Sequence, residues 1–291
     1  MASSTANDVE AKKKDNWVDG KYNANASFVY SQKFTSAVTD LLAAQPGDRI
    51  LDLGCGSGDL TLSPLLSSVL PSGSITGVDS SSSLLSTARS NLSSSAQFTD
   101  AEKRRLEWIE LDGHELGSLG EGHEGTYDAA FSNAALHWMK RDPTRVVEGV
   151  YGVLKKGGRF VGEMGGALNM VGVRSTLRSV LSQDYGLDAS SIDPWFFPTP
   201  EVYTALLEKA GFRVESCELV PRPTPLPTGL RGWLETFAFA FLDALPSPAD
   251  KEKVIEKVSE ALECDMKHDL GGGREQWVVM YVRLRFRAWK E

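Results

Sequence analysis

The chain predicts an α/β fold: a doubly wound, mostly parallel, seven-stranded sheet carrying a helical cap. Three observations lead there. Between Arg49 and Met164, apolar runs of strand length alternate with stretches of helical periodicity. A glycine-rich turn from Gly54 to Gly58 joins the first run to a helix. After Met164 the pattern changes to helices and aromatic clusters before a last apolar run near the C-terminus. Parallel strands need long crossover connections, so this alternation implies helices on both faces of one sheet.

The elements follow in order. Phe34, Val38, Leu41 and Leu42 recur at helical spacing, and Pro46-Gly47 ends that helix. Residues 49–54 form a buried strand entering the glycine turn, followed by a helix over 60–70 and a second strand over 74–78. Ser80 is suited to cap a helix reaching about residue 91. The polar stretch 93–105 is a helix extension or surface insertion, 106–111 a third strand, and 115–125 a loop rich in Gly, Glu and Ser. A fourth strand covers 127–132. The next helix has Asp142 as N-cap, Pro143 in its first turn and Gly157-Gly158 past its end, before a fifth strand over 159–164. Helices over 171–183 and 200–210 follow, the second capped by Thr199. A strand over 213–220 then leads into a stiff proline linker over 221–227. Two helices, 229–242 and 249–267, precede a final strand over 276–287. Residues 1–16 read as a disordered tail and 17–291 as one domain, with a core at about 45–165 and cap segments at about 166–210 and 226–270.

Composition narrows the classes. The hydrophobic share, 41%, supports a buried core, and no run of 18 apolar residues exists to span a bilayer. A net charge of −8 lacks the counterion-release term that drives nucleic-acid binding. Arg283, Arg285 and Arg287 alternate with Val282, Leu284 and Phe286, the pattern of a half-buried strand with a solvated polar face. Cys55, Cys217 and Cys264 are far apart and lack metal-binding spacing, which suits thiols in a reducing cytoplasm.

The glycine turn carries the chemistry. Its spacing is Gly54-x-Gly56-x-Gly58, with Asp59 where the dinucleotide fingerprint asks for glycine. Asp79 ends the second strand 21 residues after Gly58, where an acid accepts hydrogen bonds from ribose hydroxyls. Asp112-Gly113 ends the third strand, where a carboxylate can meet an adenine amino group. An adenosine without a pyrophosphate fits all three.

These residues resemble the class I S-adenosylmethionine-dependent methyltransferases, with their Rossmann-like core. Residues 131–138 and 154–160, Trp17 with Tyr22, Gly165-Gly166 with Asn169, and residues 194–198, 222–226 and 281–285 resemble the trans-aconitate methyltransferase-like branch. The resemblance implies S-adenosyl-L-methionine as cofactor. It puts Tyr22 and Ser31 over the methionine moiety and Gly54, Cys55 and Gly56 along the loop. Asp79 and Ser80 then hold the ribose, Asp112 and Gly113 the adenine, and Asn133 the amino-acid end. The polar inserts 93–105 and 116–125 depart from the family pattern outside these motifs.

Methyl transfer is a displacement at a sulfonium carbon that depends on alignment. His137 and Trp138 follow the fourth strand, where the acceptor lies, with His137 either a base or an orienting group. Trp195, Phe196 and Phe197 are candidates for a pocket lid, Trp195 and Phe197 with Trp138 for substrate contact, and Arg222 and Arg174 for pairing with a substrate carboxylate. The expected activity is methylation of a small organic molecule, with O-methylation of a carboxylic acid preferred. N-, C- or phenolic O-methylation, and a cofactor-binding protein without turnover, are the alternatives. Base methylation is disfavoured by the charge and by Asn133-Ala-Ala-Leu136, which lacks the prolines of an amino-base methylase box. No nucleic-acid, membrane or metal partner is expected, and the oligomeric state is left open.

Overall fold

The computed structural model describes residues 32–120 and 122–291. The expected tail, Trp17, Tyr22 and Ser31 lie outside them. Helix α1 (Gln32–Leu42) precedes β1 (Arg49–Leu53), and a π-helical segment, Thr61–Leu66, runs into the short α2 (Ser67–Val69). Pro64 lies inside that segment and lacks an N–H, so the helix expected here is kinked at Ser63. Then come β2 (Ser74–Asp79), α3 (Ser82–Ser94), α4 (Asp100–Lys103) and β3 (Leu106–Glu110). Ser81, not Ser80, caps α3 by accepting from the Leu84 N–H at 3.1 Å. The polar insert becomes α4 because Thr99 and Glu102 form a reciprocal capping box.

A 3-10 turn, Gly113–Ser118, occupies the start of the expected loop and leads to β4 (Tyr127–Asn133). A second 3-10 turn, Leu136–Trp138, precedes α5 (Pro143–Val153), whose N-cap is Asp142 as expected. Helix α5 stops before Gly157, and β5 (Leu154–Gly165) begins at once. Gly157-Gly158 sits in an irregular stretch of β5, and Gly157 takes the left-handed φ of 78° that this stretch requires.

The remaining helices are α6 (Val171–Tyr185), α7 (Ala189–Ile192), α8 (Pro200–Lys209), α9 (Gly229–Phe237), α10 (Phe239–Asp243) and α11 (Pro248–Met266). The remaining strands are β6 (Phe212–Leu226), β7 (Lys267–Asp269) and β8 (Glu275–Lys290). The sheet runs β3-β2-β1-β4-β5-β8-β6, with β7 added to β8, so the described residues form eight strands rather than seven. The first five are parallel, and β8 is antiparallel to β5 and β6. The proline linker is instead the second half of edge strand β6, paired with β8 as far as Leu226 and Trp277. Pro221, Pro223 and Pro225 alternate, so every missing N–H falls on the open side of the edge.

Alternation along the strands feeds two cores. Ile50, Ala129, Phe131 and Val161 pack under α1 and α2, whereas Leu51, Leu53, Ala130 and Phe160 pack under α5 and α8. A third cluster joins α6, α9 and α11 to Val279 and Tyr281 at the start of β8, and forms the cap. Order reverses between β1 and β4, whose carboxyl ends therefore splay apart and leave a crevice.

Candidate functional site

The crevice opens into a cleft of about 780 Å³. Gly54, Gly56, Asp79, Ser80, Asp112, Gly113 and Asn133, all singled out from sequence, line it together with Trp138. Gly54 has φ 75°, and a side chain there would overlap Ala135, so the turn is open only to glycine. At Gly113 a Cβ would lie 2.8 Å from Met139 Sδ. Asp79 holds the loop from below: Oδ2 accepts from the Gly56 N–H and Oδ1 from the Ser81 N–H, both at 2.9 Å. Asp112 accepts from the His114 backbone N–H at 3.1 Å and meets His114 Nδ1 at 2.5 Å. Burial disfavours its charge, but the His114 hydrogen bonds and the nearby Arg141 outweigh that and hold its pKa below the ordinary value.

Cys55 is the exception. Its side chain is buried against Gly77 of β2 and does not line the cleft. Among the described residues two carboxylates and no Lys or Arg line the cleft, an arrangement that disfavours a pyrophosphate and fits a neutral adenosine joined to a cationic sulfonium.

A second pocket, about 490 Å³, adjoins the first and shares Ala134 and Trp138 with it. Here lie His137, Trp195, Phe197 and Arg222, again as expected, with Asn169, Trp233, Tyr281 and Arg283 added. Trp195 is 2% exposed and belongs to the cap core as much as to the pocket: it stacks on Phe197 at 5.8 Å and meets Trp138 edge-on at 6.0 Å. Phe196 points the other way, into the core under α5. Arg174 is outside, paired with Asp193 at 2.6 Å.

The arginines of β8 do not form a solvated face. Glu163 on β5 has no exposed side-chain surface and accepts from Arg222 Nη1 at 2.8 Å and from Arg285 Nη2 at 2.7 Å. Arg283, 5% exposed, sits 3.5 Å from Glu163 without hydrogen-bonding geometry. Arg287 donates to the Leu41 carbonyl at 3.1 Å, and Arg159 donates to the Leu42 carbonyl at 2.5 Å. The face is covered by α1, whose last carbonyls these cations satisfy. Alternation alone could not reveal that cover.

Charge in the second pocket is unbalanced. Arg222 and Arg283 line it, and no Asp or Glu among the described residues does. Arg222 Nε and Arg283 Nε and Nη2 are buried without hydrogen-bond partners among the described residues. Burial, then the neighbouring Arg283, pulls the Arg222 pKa down to about 10 against the opposing pull of Glu163. His137 Nδ1 faces the Gly165 N–H at 3.4 Å, so that nitrogen accepts and a neutral ring carries its proton on Nε2. Burial, then Arg283, holds the His137 pKa well below its ordinary value. Among the described residues no group of three His, Cys, Asp or Glu side chains is arranged to hold a metal, and no helix is long and apolar enough to cross a membrane.

A doubly wound sheet with this strand order, a glycine turn after β1 and acids after β2 and β3 defines a class I methyltransferase. Residues 50–158 match a family described as a methyltransferase domain. An uncharacterized methyltransferase of Schizosaccharomyces pombe is 38% identical over 284 residues, covering 95% of this chain and 99% of its own. The chain belongs to this family and is an S-adenosylmethionine-dependent methyltransferase. A trans-aconitate 2-methyltransferase of Escherichia coli is 30% identical over 121 residues, 40% of this chain and 41% of its own. In fold, the chain is similar to a putative methyltransferase of Bacillus halodurans, with a TM-score of 0.57 at 16% identity, covering 89% of this chain and 99% of that one. It is also similar to a phosphoethanolamine N-methyltransferase of Haemonchus contortus in complex with S-adenosyl-L-methionine, with a TM-score of 0.55 at 17% identity, covering 93% and 56%.

Proposed function

We propose that this enzyme methylates an ionised oxygen of a small polycarboxylic acid in the cytoplasm. The observation that carries the reading is the Arg222–Arg283 pair in the pocket beside the cofactor cleft: with Arg285 these two share the one carboxylate of Glu163, and guanidinium N–H groups of both are left without partners among the described residues. Buried guanidinium N–H groups without partners call for an anion. In this reading Asp79 and Ser80 hold the ribose, Asp112 and Gly113 the adenine, and Gly54, Gly56 and Asn133 the amino-acid end, with Tyr22 and Ser31 assigned by resemblance alone. S-adenosyl-L-methionine supplies the electrophilic methyl group. Trp138 separates the two pockets, while Trp195 and Phe197 exclude water from the acceptor side.

Among the described residues the second pocket also lacks a base. His137 Nδ1 is taken by the Gly165 N–H, and burial pushes the Tyr281 phenol up to about 12. A carboxylate needs none, since it is ionised at neutral pH. An arginine on the reacting carboxylate would favour the charged ground state over the charge-depleted transition state. Arg222 and Arg283 therefore serve a second acid group. A polyacid satisfies both demands, in keeping with the substrate named for the trans-aconitate 2-methyltransferases.

The test incubates the protein with methyl-labelled cofactor and trans-aconitate, citraconate or phenylsuccinate, beside tyramine and catechol. Label transfer to at least one acid and to neither amine nor phenol is expected. Turnover of tyramine or catechol with none of the acids rejects the reading.

A further inference from the structure

We propose that Asn169 is a specificity-determining residue that hands an amide N–H to the reacting carboxylate. The inference rests on the polyacid reading and deepens it. Asn169 is 2% exposed and lines the second pocket. Its Oδ1 accepts from the Val282 N–H at 2.9 Å. A backbone N–H can only donate, so the oxygen must face Val282 and the amide nitrogen faces the opposite way. That nitrogen has no hydrogen-bond partner among the described residues, and a Cβ on Gly165 would lie 2.7 Å from it. Gly165 is also the residue whose N–H fixes the His137 ring. The amide nitrogen of Asn169 and Nδ1 of His137 thus both lie against Gly165 at the end of β5, and both residues line the second pocket.

The turn presenting Asn169 is costly to build. Leu168 and Met170, on either side, have φ of 65° and 42°, a region that side chains other than glycine rarely occupy. Three backbone hydrogen bonds hold it there: Ala167 N–H to the Pro198 carbonyl at 2.8 Å, Asn169 N–H to Gly166 at 3.1 Å and Met170 N–H to Met280 at 3.0 Å. Such strain persists where the surroundings over-determine it, and here it places a neutral amide donor in a pocket lined, among the described residues, by His137, Tyr281, two arginines and Trp138, Trp195 and Trp233. The division of work follows from charge. Arginines grip the distant acid group, and neutral donors orient the reacting one without stabilising its charge as strongly.

Asn169→Asp is the decisive variant, because Asp keeps the acceptor for Val282 and replaces the donor with a like charge facing the substrate. Its affinity for S-adenosylhomocysteine should match the parent, which reports an intact fold, while kcat/KM for the fastest acid of the panel should fall roughly 10²-fold. Asn169→Ala provides a second readout independent of that fold-change. Each acid has non-equivalent carboxylates, and chromatography of the esters should find one positional ester from the parent and a mixture from the alanine variant. Parent-like kcat/KM in Asn169→Asp, with a single parent ester from Asn169→Ala, would overturn the proposal and leave the amide as a structural tie to Val282. Absence of turnover with every acid in the parent protein would instead reject the polyacid reading, and this inference with it.

Discussion

At the scale of the residue, His137 illustrates how position decides chemistry. Its place after β4 marks it as a site residue, but the choice between base and orienting group turns on which nitrogen is free. The Gly165 N–H occupies Nδ1, and burial beside Arg283 holds the ring neutral. A neutral ring protonated on Nε2 donates and does not abstract. His137→Gln should therefore lower kcat only about tenfold, the order of one hydrogen bond. Steady-state rates should stay flat between about pH 6 and 9, and a step near 6.5 that vanishes in the variant would restore the base. Stability carries the same sign. The folded pKa lies below the unfolded one, so the stabilisation is complete above about 6.5 and declines as pH falls toward the folded value. Thermal scans should find the parent losing more than His137→Gln between about pH 7.5 and 5.

Elements β5, β6 and β8 meet at Glu163, and their packing depends on its charge. Arg222 comes from β6, Arg283 and Arg285 from β8, and among the described residues Glu163 is the one acid paired with them, hydrogen-bonded to Arg222 and Arg285 and 3.5 Å from Arg283. Replacing a buried partner leaves the remaining charges uncompensated. Glu163→Gln should cost about 3–5 kcal/mol in urea denaturation. A loss below about 1 kcal/mol would mean that the cluster is wetted like a surface pair. The same cluster reaches α1, because Arg222 Nη1 also donates to the Phe34 carbonyl at 3.1 Å and the guanidinium lies 5.0 Å from the Phe34 ring. One residue thus joins the second pocket to the first helix.

On the scale of the whole molecule, cations are spent inward. A chain of net charge −8 directs several arginines at Glu163 and at the end of α1, which leaves fewer cations for its surface. Fluorescence anisotropy with labelled single-stranded RNA at low salt should give a dissociation constant weaker than about 10⁻⁴ M. Micromolar binding that weakens steeply with added salt would contradict this. The cap has its own apolar cluster, so it rests on β8 as a packed unit and presents Trp195 and Trp233 to the pocket.

The cofactor side was legible in the residues because its signals are local. Gly54, Gly56, Asp79 and Asp112 lie at strand ends, where backbone geometry and chain connectivity dictate where each must fall. The acceptor side was legible only in outline. His137, Trp138, Trp195, Phe197 and Arg222 could be named as site residues, but Asn169 comes from the turn after β5, Trp233 from α9, and Tyr281 and Arg283 from β8. Alternation along β8 predicted a polar face and could not say that α1 would cover it. Proline spacing in β6 matched a linker as well as an edge strand, since only pairing with β8 distinguishes the two. By itself the sequence determined the fold class, the cofactor and the acids that line the cleft, because period, glycine spacing and strand-end position are properties of neighbours along the chain. Tertiary structure alone decided the charge of the acceptor pocket, because burial and pairing are set by which distant strands and helices come to lie against one another.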